Sequence, residues 1–233
     1  MTFSIRLGTI YILIGVFVIV VTSWLAGNSP KLPQSSDIRD SYENVKNQFR
    51  SGDLIFFSGT TSGEDFCKML SNSRFSHVGL VVRDIGEDRD VLQQGSVYIF
   101  DSDIHHGSRL QLLDDKVKKF KGDQIIGWKR LSPGITDPLE YQKYLSIMHS
   151  MLNKEFDNRM LTWYFSDYDW LWSYFKKDTY FCSEIISIIL YRMGIISEGK
   201  KFVSYSPGDF DLDINSYVNE GYRFTSTKLL RMK

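Results

Sequence analysis

The sequence has only two cysteines, Cys67 and Cys182, and no excess charge, because 28 lysines and arginines balance 28 aspartates and glutamates. Two cysteines are too few for a disulfide framework, and Cys67 is interpreted as a core residue of a helix near Glu64 to Leu70. Without a basic excess the chain is not expected to bind nucleic acid. The short cluster Lys116 to Lys119 is therefore interpreted as a solvated face.

Motifs for common cofactors are also missing. The sequence has no phosphate-binding glycine loop, no histidines and cysteines at metal-ligand spacing, and no internal repeat. We therefore predict no cofactor and no metal. With 233 residues and 42% hydrophobic content, the chain is large and apolar enough for one globular domain with a sizeable core.

One long hydrophobic run lies near the N-terminus. No charged residue occurs from Leu7 to Pro30, and isoleucine, valine, leucine and aromatic residues dominate Ile10 to Leu25. A helix of this length can cross ~30 Å of hydrocarbon, so we predict a single-pass membrane anchor over residues 1–27, with Trp24 at the interface. A cleaved signal peptide is the alternative, with Val21 to Ser23 as its cleavage site. The flanking charges favour a cytoplasmic N-terminus only weakly and leave the side of the membrane open.

Residues 28–50 are predicted to form a linker and a short amphipathic helix. Pro30 and Pro33 are typical of a linker. Apolar residues then recur at helical spacing, and Ser35 or Ser36 could cap the helix. The apolar residues are Ile38, Tyr42, Val45 and Phe49. We expect this stripe to pack on the domain that follows.

A cysteine stands at the start of another predicted helix. The segment from Tyr180 to Glu184 leads directly into the apolar stretch Ile185 to Met193. The first N–H groups of a helix have no partner within it and carry partial positive charge, so they stabilise a thiolate and lower its pKa. We therefore predict that Cys182 is an activated thiol, with Asp178 or Thr179 as the helix N-cap. The alternative is a small buried hydrophobe.

Two predicted strands upstream offer a base and an acid. Ser76 to Val82 and Val97 to Ser102 are rich in β-branched and aromatic residues and are separated by a charged turn-like stretch, which favours an antiparallel pair. A connection centred near Arg89 would place His77 directly opposite Asp101. Gly79, on the same face as His77, would leave room for a helix end or a substrate.

These residues supply the groups needed for covalent thiol chemistry. Cys182 would be the nucleophile, His77 the base and then the acid, and Asp101 the group that orients the imidazole. His105 and His106 lie just beyond Asp101 and are alternatives for the third position. Their neighbours Gly107 and Ser108 favour a simple exposed loop for this histidine pair.

Four segments carry a resemblance to a known family. On these segments the chain resembles the circularly permuted branch of the NlpC-type papain-like cysteine hydrolases, the YiiX-like group, and more distantly lecithin retinol acyltransferase. Permutation places the histidine before the cysteine, as in this chain. The third position is often glutamate in the group, whereas this chain has Asp101. The matching segments are Ser51–Phe57, Phe75–Val81, Tyr98–Ser102 and Phe181–Ile186, with a weaker fifth match at Tyr205–Phe210.

The remaining patterns complete an α+β fold. Ile125 to Arg130 is predicted as a strand and Asp137 to Leu152 as a helix with Pro138 in its first turn. The resemblance implies a permuted papain-like domain over residues 51–233, with a small antiparallel sheet packed on helices and preceded by one transmembrane helix. An aromatic-rich segment lies between Phe156 and Phe181. We interpret it as core, and the alternative is a wall of an apolar substrate groove.

The predicted function is a membrane-anchored thiol hydrolase or acyltransferase acting on an amide or ester bond. The resemblance supplies this reaction class, and related proteins span cell-wall peptide cleavage and lipid acyl transfer, so a lipid or acylated substrate and a cell-wall peptide both remain open. The second hypothesis is a catalytically idle membrane-tethered adaptor, for example in a viral particle. The third is a metal hydrolase that uses His77, His105 and His106.

Overall fold

The computed structural model describes residues 38–83, 95–120, 125–157 and 179–232, together with the single residue Gly15. The predicted membrane anchor over residues 1–27 therefore lies outside the described residues, as does most of the aromatic-rich segment. Within the described ranges, none of the helices has the length and hydropathy needed to span a bilayer.

The described chain contains strands and helices in a mixed order. The strands are β1 (Ile38–Ser41), β2 (Leu54–Phe57), β3 (His77–Arg83), β4 (Val97–Asp103), β5 (Gly107–Leu112), β6 (Ile125–Lys129), β7 (Leu131–Ser132), β8 (Glu155–Phe156), β9 (Thr179–Tyr180), β10 (Arg223–Phe224) and β11 (Lys228–Arg231). The α-helices are α1 (Tyr42–Val45), α2 (Ser62–Leu70), α3 (Leu113–Lys119), α4 (Pro138–Ser150) and α5 (Cys182–Arg192). Short 3-10 and π turns occur at Lys46–Gln48, Phe202–Ser204, Asp209–Asp213 and Ile214–Ser216.

A seven-stranded sheet forms the centre of the fold, in the order β1-β11-β6-β2-β3-β4-β5. Every neighbouring pair in it is antiparallel except β1 and β11, which run parallel. The fold is thus a mixed arrangement of sheet and helices, as predicted. The sheet is larger than the small sheet that we expected.

Side-chain alternation along the strands divides the core into two clusters on opposite faces of the sheet. On one face, Val78, Leu80 and Val82 of β3 belong to the larger cluster, together with the isoleucines of α5. On the other face, Val81 and Ile99 belong to a cluster covered by α1 and α3. Each fully buried Ile, Leu or Val contributes about 1.5–3 kcal/mol, so these clusters fix the helices on the sheet.

The segment before β2 differs from the prediction. Ile38 lies in β1, which pairs with β11 near the far end of the chain, and the helical part begins only at Tyr42. Its N-cap is Ser41, whose side chain accepts a hydrogen bond from the backbone N–H of Asn44, and not Ser35 or Ser36. The predicted stripe is nonetheless buried at Tyr42, Val45 and Phe49. Residues 38–41 are therefore part of the sheet and not of a linker or helix.

Helix α4 confirms the prediction for residues 137–152. Asp137 is its N-cap, and the carboxylate accepts hydrogen bonds from the N–H groups of Leu139 and Glu140. Pro138 occupies the first turn, where its missing N–H removes no helical hydrogen bond. The strand predicted around residues 125–130 is also confirmed, as β6.

Candidate functional site

Cys182 is the first residue of α5 and is 6% exposed. The backbone N–H groups of Val78 and Ser183 act to lower the pKa of its thiol. One of these groups belongs to the helix onset and the other to the beginning of β3. The residues that share the predicted apolar face with Cys182 are all fully buried, namely Ile185, Ile186 and Ile189.

The prediction for the cap of this helix was wrong. The N-cap position belongs to Phe181, which has no side chain able to cap, while Thr179 lies in β9 and hydrogen-bonds the carboxylate of Asp157. Asp178 is outside the described residues. Glu184 instead reaches back to accept a hydrogen bond from the N–H of Phe181 at 3.3 Å. This is half of a capping box, and it satisfies one of the free N–H groups at the helix start.

His77 lies at the end of β3, close to elements on both faces of the sheet. It is the first residue of β3 and points to the face covered by α3, but it stands at the end of the strand where α5 begins. Its Nε2 lies 2.9 Å from Oδ2 of Asp101, and the charges of His77 and Cys182 act on each other. Since Nε2 is engaged by the carboxylate, Nδ1 is the ring nitrogen left to face the sulfur.

The strand register differs from the prediction by two residues. Leu80 lies opposite Phe100, so the continuation of the pairing sets Asp101 opposite Gly79 and not opposite His77. The carboxylate still reaches the imidazole because diagonal neighbours on one face of a sheet are close enough for long side chains. The space above Gly79 is not open to a substrate, because a Cβ at Gly79 would lie 2.6 Å from Cδ1 of Ile99.

Asp101 is fully buried and accepts hydrogen bonds on both oxygens. Oδ2 lies 2.7 Å from Nζ of Lys116 in addition to its contact with His77, and Oδ1 accepts from Nε2 of Gln111 at 3.0 Å. A buried carboxylate requires such partners, since an unpaired charge in the interior is costly. The carboxylate therefore sits between two cationic groups and is held in place by a third donor.

Lys116 and Gln111 are not predicted from the sequence as members of the site. The prediction of a solvated face for Lys116 is wrong, because its side chain is only 13% exposed and extends over the ring of Phe57. The sequence does contain an indication that Lys116 is partly buried. Leu113 and Val117 are the buried residues of α3, and a residue three positions after Leu113 borders that apolar stripe on a helix.

The electrostatics of the three groups favour a thiolate and an imidazolium. Burial by itself would raise the pKa of Cys182, but the charge of His77 and the hydrogen bonds to the sulfur outweigh it and lower that pKa. Burial and the Lys116 charge act to lower the pKa of His77, yet the Cys182 thiolate and the Asp101 hydrogen bond raise it to about 9. Asp101 is buried as well, but His77 and Lys116 hold its pKa well below the usual range.

The second cysteine has the opposite character. Cys67 lies in a helix, α2, as predicted, but it is only half-buried and is not one of the core residues. Its sulfur is 3.7 Å from the carbonyl oxygen of Ser76. Burial raises the pKa of its thiol to about 12, and the negative charge of Cys182 acts in the same direction. The two thiols should therefore differ strongly in reactivity near neutral pH.

The neighbouring histidine pair is separate from this arrangement. His105 and His106 lie in the turn between β4 and β5, where both are exposed. His106 contacts Asp103 through Nδ1 at 3.1 Å. In the part of the chain that the structure describes, no group of three or more His, Cys, Asp and Glu residues is placed to hold a metal ion.

Two further features border the cysteine. The carboxylate of Glu184 is 8% exposed, and burial raises its pKa to about 7. The segment Tyr205–Phe210 contacts α5 directly, because Oγ of Ser183 donates to the carbonyl oxygen of Tyr205 at 2.6 Å. This contact gives the weakest of the five matching segments a position next to the helix that carries Cys182.

No protein-family model and no curated protein matches the chain significantly. Among solved structures, the chain is similar to the crystal structure of YiiX from Escherichia coli O157:H7, which is described as a metalloprotein. The two sequences are 18% identical, the match covers 66% of this chain and 69% of that chain, and the TM-score is 0.46. At this level of identity the likeness concerns the fold alone.

Proposed function

We propose that this chain is a thiol hydrolase or acyltransferase that cleaves an amide or ester bond through Cys182, His77 and Asp101. One observation carries the proposal: a cysteine at the start of a helix lies within electrostatic reach of a histidine whose Nε2 is 2.9 Å from a buried carboxylate. This is the arrangement of nucleophile, base and orienting group that covalent acyl transfer uses on unrelated folds.

The steps follow from the protonation states. The Cys182 thiolate attacks the carbonyl carbon and forms a carbon–sulfur bond, while the carbonyl electrons move onto oxygen. Collapse of this adduct breaks the bond to the amine or alcohol, which leaves with the proton of the His77 imidazolium. The neutral imidazole then takes a proton from water or an acceptor alcohol, which attacks the thioester and releases the acid or the new ester. The thiolate and the imidazolium are thereby restored.

Asp101 and Lys116 would act through His77 and not on the substrate. The carboxylate fixes the imidazole so that Nδ1 faces the sulfur, and it stabilises the imidazolium. The ammonium group of Lys116, 2.7 Å from the same oxygen, keeps the carboxylate ionised and in one position. Both are thus positioning residues in this proposal.

The proposal also includes the family to which the protein belongs and its location at a membrane. The five matching segments support a place in the permuted NlpC-type group, and the apolar run at residues 10–25 supports a membrane anchor. A substrate that is a lipid or an acylated molecule would suit an anchored enzyme. A cell-wall peptide amidase would use the same chemistry.

The second candidate is a membrane-tethered adaptor that keeps the fold without turnover. The observation in its favour is the low exposure of the site, since Cys182 is 6% exposed and the side chain of His77 is 13% exposed. The predicted aromatic wall, with Trp163, Trp170 and Trp172, lies outside the described residues. Reactivity of the thiol therefore separates the two candidates better than geometry does.

Alkylation with iodoacetamide at about pH 6 tests the nucleophile, because an ordinary thiol has a pKa near ~8.5 and is almost entirely protonated there. Peptide mass spectrometry should find the label on Cys182 and not on Cys67. Cys182→Ala should abolish labelling, and the matched variant Cys67→Ala should leave it intact. An unlabelled wild-type protein, or equal labelling of both cysteines, would support the adaptor and refute the enzyme.

A further inference from the structure

A second concentration of charge lies at the other end of β3, away from the thiol. Arg50, Arg83 and Arg130 line a cavity of about 350 Å³, together with the turn at residues 47–49 and the side chains of Ile135 and Thr136. Arg83 is the last residue of β3, and His77 is the first. Six residues of strand separate them by roughly 20 Å, so the cavity is distinct from the site at Cys182.

Two of the three guanidinium groups are held in fixed positions. Nη1 of Arg83 donates to the carbonyl oxygens of Asn47 and Phe49, the second at 3.1 Å. Nη2 of Arg130 donates to the carbonyl oxygen of Gln48 at 2.9 Å, and its guanidinium lies 4.8 Å from the ring centre of Trp128. A ligand that meets these groups would not have to order them, which lowers the entropic cost of binding.

The positive charge of this cavity is only partly offset by the described residues, since the buried carboxylate of Asp53 acts on Arg130 through its charge. No described carboxylate lies within ion-pair distance of any of the three guanidinium groups. The buried carboxylate of Asp53 is nearby, but its oxygens accept from the Trp128 indole and the backbone N–H groups of Arg50 and Leu131. It is occupied by these donors and makes no ion pair with the arginines.

One donor in this region also lacks a partner within the described chain. Nε of Arg130 is buried and makes no hydrogen bond. More than nine in ten buried polar groups in folded proteins are hydrogen-bonded, and a buried donor without an acceptor costs about 1–3 kcal/mol. Contacts to the carbonyl groups of residues 47–49 explain one nitrogen each of Arg83 and Arg130. They leave the side chain of Arg50 without a described acceptor, and the enclosed Nε of Arg130 does not face the cavity.

We propose that the cavity bordered by Arg50, Arg83 and Arg130 binds a phosphate-type oxyanion. Guanidinium groups present planar forks of donors that match phosphate oxygens, and arginine is the residue used most for this purpose. The phosphate of a soluble compound and that of a phospholipid headgroup present the same chemistry to the arginines. The proposal goes beyond the thiol chemistry and does not depend on it.

Calorimetric titration of the full chain with inorganic phosphate tests the site. Arg50→Gln is the informative variant because Arg50 is exposed and its side chain makes no hydrogen bond or ion pair to a described residue, so the fold should survive its loss. Wild-type protein should bind one phosphate per chain, and loss of a charge-assisted contact should weaken binding by about tenfold. Arg223→Gln removes an exposed arginine elsewhere and should change nothing. Absence of saturable binding, or equal affinity in Arg50→Gln and wild type, would overturn the proposal.

Vesicle flotation separates the two sources of phosphate. The full chain is mixed with vesicles of phosphatidylcholine alone or of phosphatidylcholine with phosphatidic acid. A preference for phosphatidic acid that Arg50→Gln loses and Arg223→Gln retains identifies a lipid headgroup. Phosphate binding in the calorimeter without such a preference identifies a soluble ligand. If neither measurement depends on Arg50, the site does not exist.

Discussion

Charged side chains lie at both ends of strand β3, but the two ends differ in whether each charge has a partner of opposite sign. At the His77 end, Lys116 and the imidazole share one buried carboxylate, so each charge has a partner within hydrogen-bond distance. At the Arg83 end, the guanidinium groups of Arg83 and Arg130 donate to neutral carbonyl groups, and the buried carboxylate of Asp53 acts on Arg130 without forming an ion pair. We call the His77 end balanced, because its charges have partners within the protein, and such charges can hold a reactive group in one protonation state. We call the Arg83 end unbalanced, because its guanidinium groups form no ion pair, and such groups are suited to binding an ion from solution.

The first way to break this comparison is to remove the imidazole. Without the charge and hydrogen bond of His77, only burial and the N–H groups would act on the Cys182 sulfur, and burial favours the neutral thiol. We expect His77→Ala to slow iodoacetamide alkylation of Cys182 at about pH 6 by about 100-fold, because the thiolate becomes a minor species. Turnover of any substrate should fall by about 10⁴ as the proton donor is also lost.

The control for this variant is His149→Ala, which removes a histidine from the exposed side of α4. Its alkylation profile should match that of the wild-type protein. Unchanged reactivity of Cys182 in His77→Ala would mean that the helix onset alone activates the sulfur. The balanced set at this end of β3 would then have no role in the chemistry.

The second way is to remove the carboxylate that both cations share. Asp101→Asn keeps the shape but leaves the ammonium group of Lys116 buried beside a neutral amide. Breaking a buried ion pair by removing one partner costs about 3–5 kcal/mol, so we expect a loss of this size in the free energy of unfolding, measured by urea denaturation at neutral pH. Asp65→Asn is the control, because it removes an exposed carboxylate that pairs with Lys68 in α2, where exposure limits the loss to about 1 kcal/mol.

The effect of Asp101 on stability should depend on pH with a definite sign. The folded protein holds the pKa of Asp101 below the value of an unfolded aspartate, about 3.9. A depressed pKa contributes stability above the unfolded value, and this contribution is lost as the pH falls towards the folded value. The difference in the free energy of unfolding between wild type and Asp101→Asn should therefore be largest at about pH 5 and above and decrease below about pH 4. A difference in the free energy of unfolding that increases in acid would contradict a lowered pKa for Asp101.

The balanced end of β3 was partly predictable because its main features are local. Alternation along a strand places His77 and Asp101 on one face, and the change to helical spacing after Phe181 places Cys182 at a helix start. Lys116 and Gln111 were not predicted, because their positions depend on how α3 and β5 pack across β4. The register was wrong by two residues because the sequence of residues 84–94 does not fix where the two strands end and begin.

The unbalanced end of β3 could not be predicted from the sequence at all. Arg50, Arg83 and Arg130 come from separate parts of the chain and meet only because β2 pairs with both β3 and β6. The strand at residues 38–41 was missed for a similar reason. Its pairing with β11 joins residues almost 200 positions apart, and a helical apolar spacing in the sequence masked the extended segment.

A third test sharpens the comparison by removing one of the two cations at the balanced end. Lys116→Met deletes the ammonium group but keeps most of the apolar stem that covers Phe57. The Lys116 charge acts to lower the pKa of His77, which lies at about 9, so its loss should raise that pKa. The alkaline limb of the pH–activity profile, where the imidazolium loses its proton, should move up by about half a pH unit.

Lys118→Met is the matched control for this test, because Lys118 lies on the same short helix but is exposed. Its profile should coincide with that of the wild-type protein. If Lys116→Met changed only the stability and left the alkaline limb in place, Lys116 would be a structural residue. If both lysine variants moved the limb equally, the effect would come from net charge and not from the contact with Asp101.

The smallest expected effect is at the unbalanced end. Arg83→Gln removes a donor from the carbonyl oxygens of Asn47 and Phe49 without leaving a buried charge unpaired, because the described surroundings hold no counter-ion for Arg83. An ordinary hydrogen bond contributes about 1 kcal/mol, so we expect a loss of that size in the free energy of unfolding. Added inorganic phosphate should stabilise wild type more than Arg83→Gln, since only a folded, intact site binds it. A loss of about 3–5 kcal/mol, as large as that expected for Asp101→Asn, would mean that Arg83 belongs to a buried balanced pair and that the two ends of β3 do not differ.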